Sequence, residues 1–169
     1  MKKTIKRVLF FSSFFLLLTG SSCETNDIET GDVRFSCYIN GQLFTPKGST
    51  NLTSTSPNND GVFFLVYDNF FNVKSYNSDN FVYITIINQN TGEFDLNKSH
   101  GIYGLDDPNT MNHAIIKINN KTYLSRDNSG SVTFTEVSDT NVGGTFEFTL
   151  YNENDDSDTI RVTNGKFND

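Results

Sequence analysis

This chain of 169 residues contains no tryptophan, so any stacking on sugar rings would fall to phenylalanine and tyrosine. Its two histidines, His100 and His113, lie thirteen residues apart, with no HExxH pattern and no cysteine beside them. That excludes the usual zinc spacings. There is no G-x-S-x-G elbow, no glycine-rich phosphate loop and no Ser-His-Asp order with a local signature. Acids are plentiful, yet no pair marks itself as a glycosidase dyad. No catalysis and no cofactor are expected. Thirteen basic residues face twenty acids, and residues 24–169 hold no basic cluster. Nucleic acid is excluded as a partner, because phosphate neutralisation dominates that affinity. Of the two cysteines, Cys37 shares an alternating face with Val33, Phe35 and Ile39 and reads as a small buried apolar residue. The longest apolar run, residues 8–18 with Ser12 and Ser13 inside it, is about half the ~20 residues of a spanning helix.

That run has the form of an export signal. Lys2, Lys3, Lys6 and Arg7 precede it, and Thr19, Gly20, Ser21 and Ser22 lead to Cys23. The arrangement resembles a lipobox, with Gly20 where leucine is usual, and implies cleavage after residue 22 and acylation of Cys23. Two acyl chains at roughly 0.8 kcal/mol per buried CH₂ already anchor a protein stably. The membrane partner is therefore reached through lipid on Cys23, and the domain needs no membrane-binding surface. Residues 23–32 form the acylated cysteine and a polar tether with Glu24, Asp27, Glu29 and Asp32. Acids in this position resemble surface-export signals of Bacteroidota lipoproteins. Cleavage removes four basic residues and no acid, which moves the formal charge from −7 to −11.

Residues 33–169 make one domain of all-β class. Residues 33–39 alternate and meet Asn40-Gly41, the strongest short hairpin signal, before 42–45 return. Residues 49–60 read as a polar loop. Residues 62–68 and 81–88 are apolar on both faces and read as central strands. Residues 69–80 between them read as a loop carrying Phe70, Phe71 and Tyr76. A short strand at 93–96 precedes an irregular stretch, 97–111. Strands at 113–118 and 122–125 flank a turn at 119–121. Further strands at 131–137, 145–151 and 159–163 are separated by turns at 127–130, 138–144 and 152–158. Asn164-Gly165 reads as a last turn, with Phe167 tucked into the core. Short strands at this spacing predict a single antiparallel β-sandwich or a flattened meander barrel.

Gly144-Thr145-Phe146-Glu147-Phe148 and Ile160-Arg161-Val162-Thr163-Asn164-Gly165-Lys166-Phe167 together resemble an uncharacterised lipoprotein family of Bacteroidota. Its members show a G-T-F-x-F strand and end in I-T-N-G-x-F; Val162 stands here where isoleucine is usual. The resemblance covers most of residues 33–167 and implies no activity.

Candidate sites are few. Asp155, Asp156 and Asp158, in an acidic stretch after Glu153, offer hard oxygen ligands for calcium, against the plainer reading of a solvated hairpin tip. Thr159 lies in Asp158-Thr159-Ile160, which resembles a bacterial O-glycosylation motif. Phe70, Phe71 and Tyr76 are candidates for a loop patch that meets a glycan or protein. The expected protein is a lipid-anchored outer-membrane lipoprotein of the cell envelope, on its periplasmic or surface face. It acts as a non-catalytic binding or adhesion module for a glycan, peptide or envelope protein. An accessory subunit of an envelope complex is the second reading, and a small hydrolase the third.

Overall fold

Asparagine and glycine set the corners of this domain. A computed structural model describes residues 34–47, 61–67, 70–101, 111–138 and 141–169. The signal segment, Cys23, the tether, Val33 and the 49–60 loop lie outside them. Asn40 and Gly41 take positive φ (50° and 79°) between β1 (Phe35–Ile39) and β2 (Gln42–Phe44). Asn119 and Asn120 do the same (52° and 61°) between β7 (His113–Ile118) and β8 (Lys121–Leu124). Asparagine tolerates this region, and two such residues match the twist of the flanking strands. The remaining strands are β3 (Val62–Tyr67), β4 (Phe70–Asn77), β5 (Asn80–Ile87), β6 (Gly92–Asp95), β9 (Gly130–Val137), β10 (Val142–Asn152) and β11 (Asp155–Asn168).

All pairings between these strands are antiparallel, in the order β2-β1-β11-β10-β8-β7-β5-β4-β3, with β9 also on β10 and β6 on β9. The sheet curls into a half-barrel whose walls pack on each other like a sandwich. Phe71 on β4 shows the closure, since its ring lies 5.0 Å from both Phe134 on β9 and Phe167 on β11. Val82, Ile84 and Ile86 line one wall, and Phe146, Phe148 and Leu150 the other. Each such side chain contributes roughly 1.5–3 kcal/mol by leaving water. Phe167 is buried among them, as its sequence position predicts.

Several sequence expectations change; the turn expected at 138–144, for one, ends before Val142, where β10 already begins and pairs with β9. Residues 70–77 form β4, not a loop: Phe71, Val73 and Ser75 point inward at period two, and Asn72 donates to Thr85 across the wall at 2.9 Å. The polar residues between them hid that period. The strand at 62–67 is not central; β3 ends the path, and Val66 is 41% exposed. The turn expected at 152–158 shrinks to Glu153-Asn154, because β11 already begins at Asp155. Asn164-Gly165 is no turn either. Asn164 (φ 51°) sits at a bulge in a continuous β11, where the register shifts against both β1 and β10.

Candidate functional site

The edge of β10 is shared by two strands. Residues Val142 to Phe148 pair with β9, whereas Tyr151 and Asn152 pair with β8. Between the two, the Thr149 amide donates to the Ser129 carbonyl at 2.8 Å. The chain from β8 to β9 must therefore leave the sheet and return within a few residues. It does so in a tight turn in which Arg126 donates its amide to Ser129 Oγ (3.1 Å) and Ser129 donates to the Arg126 carbonyl (3.1 Å). This turn is tied to the strand after β6: Asn128 donates to the Leu96 carbonyl (2.9 Å), and Asp127 Oδ1 accepts the Lys98 amide (2.9 Å).

An open cleft of about 510 Å³ results where the sheet forks. Its apolar strip is Leu124 beside Tyr151, which are register partners. The Arg126 guanidinium lies 4.2 Å above the Tyr151 ring and pairs with Asp156. Planar cations favour an aromatic face in this way. The buried polar groups at the base are satisfied internally. Ser125 Oγ donates to the Asn97 carbonyl (2.7 Å) and accepts the Ala114 amide (3.1 Å). Asn152 donates to Asp158 (2.8 Å) and accepts the Asn154 amide (2.9 Å). The base is thereby held rigid. At the rim, Lys98 and Glu153 are exposed, and neither side chain makes an ion pair among the described residues. The lining holds no histidine or cysteine. Its chemistry is that of hydrogen-bond donors and acceptors around a short apolar strip, which suits binding.

The calcium candidates do not converge. Asp156 is committed to Arg126. Asp155 accepts both the hydroxyl (2.7 Å) and the amide (3.0 Å) of Ser157, which hold its carboxyl below the usual range. Asp158 accepts from Lys121 (2.8 Å), Asn152 and the Tyr123 hydroxyl (3.3 Å), and Lys121 foremost holds its pKa down. Among the described residues no group of three His, Cys, Asp or Glu could hold a metal ion.

The aromatic candidates belong to the wall. Phe71 is fully buried, and Phe70 and Tyr76 are half-buried on the opposite face of β4. Lys74 reaches across Tyr76, Phe81 and Tyr83, with its ammonium 5.0, 5.1 and 5.8 Å from the three ring centres. Thr159 is exposed, opposite Tyr151 on β10, so a modification there would stand beside the cleft. Burial pushes the Cys37 thiol up to about 12, which leaves it un-ionised and unreactive. His113 is buried with Nδ1 3.1 Å from the Met111 carbonyl, and desolvation lowers its pKa.

The cleft residues Lys98, Arg126 and Tyr151 escape a sequence reading because they come from three separate segments. Tyr151 alone leaves a trace, as an outward aromatic at the end of an alternating strand. No protein-family model, no curated protein and no solved structure matches this chain.

Proposed function

We propose that this protein is a non-catalytic binding module of the bacterial cell envelope, anchored at the outer membrane by lipid on Cys23, and that its ligand enters the cleft beside β10. The export signal and Cys23 support the anchor, and the paired glycine and phenylalanine motifs support kinship with the Bacteroidota lipoproteins they resemble. The observation that carries the binding role is the cleft itself: a base already satisfied by Ser125 and Asn152, beneath a rim where Lys98 and Glu153 make no ion pair among the described residues. Such a site loses little freedom when a ligand enters. Two measurements test the reading. Cys23→Ala should release the protein from the membrane fraction; full retention would remove the lipid anchor. Thermal unfolding of the intact chain with glycan and peptide panels should show a saturable rise, about 2.7 kcal/mol at a hundredfold excess over Kd. No shift with any ligand would remove the binding role.

A second reading, an accessory subunit that recruits its partner by strand addition, is favoured by the sheet ends. The two exposed large apolar side chains of the described domain are Leu43 (49%) on β2 and Val66 (41%) on β3, the two ends of the strand path. Apolar residues on a terminal strand invite pairing with another chain.

A further inference from the structure

The geometry points to a neutral oligosaccharide as the ligand of the cleft between the 126–129 turn and the end of β10, an assignment that rests on the binding-module reading above. The cleft mixes signs at close range. Arg126 and Asp156 form one donor and acceptor pair over Tyr151, while Asp127 lies against Lys98 through the Lys98 amide. Glu153 adds a further acceptor. A compact anion would meet three carboxylates, and a compact cation would meet Lys98 and Arg126, so either ion finds like charge beside its partner. A vicinal diol has the opposite requirement. Each hydroxyl both donates and accepts, so adjacent donors and acceptors satisfy it without net charge.

The apolar part fits the same chemistry. Leu124 and the Arg126 guanidinium stacked on Tyr151 give a short flat surface against which the C–H face of a pyranose can lie, while the polar rim receives its edge hydroxyls. At about 510 Å³ the open cleft has room for a few sugar units rather than a long chain. Recognition of this kind needs no tryptophan, because the guanidinium stacked on Tyr151 already presents a flat polar surface.

The test is calorimetric titration of the intact chain with neutral hexasaccharides (gluco-, xylo- and manno-configured), an oligogalacturonide of equal length, and a peptide digest. Lys98→Met and Glu153→Gln are the diagnostic variants, since both residues are exposed and their loss should leave the unfolding temperature unchanged. The proposal expects saturable binding of at least one neutral hexasaccharide, weakened about tenfold by either substitution, with no binding of the oligogalacturonide. Neutral-sugar binding unchanged in both variants overturns the assignment. Peptide or oligogalacturonide binding that the variants abolish also overturns the sugar assignment, but leaves the binding module standing. Binding of nothing in the panel overturns both.

Discussion

The ring of Phe146 on β10 lies over the backbone of Gly165 on β11, its register partner; a Cβ at 165 would sit 2.3 Å from that ring. The relationship repeats in reverse two residues on, where Phe167 covers Gly144 and a Cβ there would meet its ring at 2.6 Å. The two sequence motifs are therefore one structural device: each supplies a glycine for the other's phenylalanine. Gly165 needs no positive φ, so its requirement is purely steric. Gly165→Ala should destabilise the fold by about 1–3 kcal/mol through overpacking. Gly165→Ala with Phe146→Leu should recover part of that loss, read by denaturant unfolding as a coupling between the two sites. Strict additivity of the two single changes would contradict the packing described.

Phe71 and Tyr76 share a strand but not a role. Phe71 is fully buried between Phe134 and Phe167, so Phe71→Ala should cost about 3–5 kcal/mol. Tyr76 is half-buried beside Lys74, and Tyr76→Ala should cost well under half as much. Equal losses in urea unfolding would place both rings in the same environment.

Acid should weaken the domain through two sets of groups. Burial lowers the His113 pKa, so below about 6.5 the unfolded chain takes up a proton that the folded chain refuses. Stability falls from there until the lowered folded value is reached. Asp155 and Asp158 are also depressed, and their contribution is present above the ordinary carboxylate value and lost as pH falls through their folded values. His113→Gln should remove the histidine contribution and leave that of the two carboxylates. An unfolding profile in which that substitution alters only the acid limb would refute the assignment.

Calcium at millimolar concentration should leave the unfolding temperature unchanged. Asp155, Asp156 and Asp158 are each bound to different partners, and Asp158→Asn should instead weaken the fold by loosening Lys121, Tyr123 and Asn152. A saturable calcium shift lost in Asp155→Asn would reverse this.

Thiol reagents should label Cys37 only as fast as the domain opens. The side chain is 1% exposed and its thiol is held in the protonated form. Labelling faster than global unfolding in hydrogen exchange would expose a local opening of β1.

Much of this architecture is local, and the amino-acid sequence by itself determined that part. Period two in residues 35–39 and 145–151 declares strands with an apolar inner face, and Asn40-Gly41 and Asn119-Asn120 can hold positive φ where the corners fall. The antiparallel class follows from strands this short joined by turns this tight. What the sequence could not determine is which edges meet. The run 62–67 is as apolar as 81–88, yet β3 ends the path while β5 lies between β4 and β7. Asn164-Gly165 carries a turn signature, yet hydrogen bonds from β1 on one side and β10 on the other hold β11 straight through it as a bulge. Only the tertiary structure decided the fork on β10, because two consecutive strands, β8 and β9, take separate stretches of one edge. The cleft exists for that reason. Its stacked Arg126 and Tyr151 are brought together by pairings whose partners lie far apart along the chain, and no local pattern of residues encodes them.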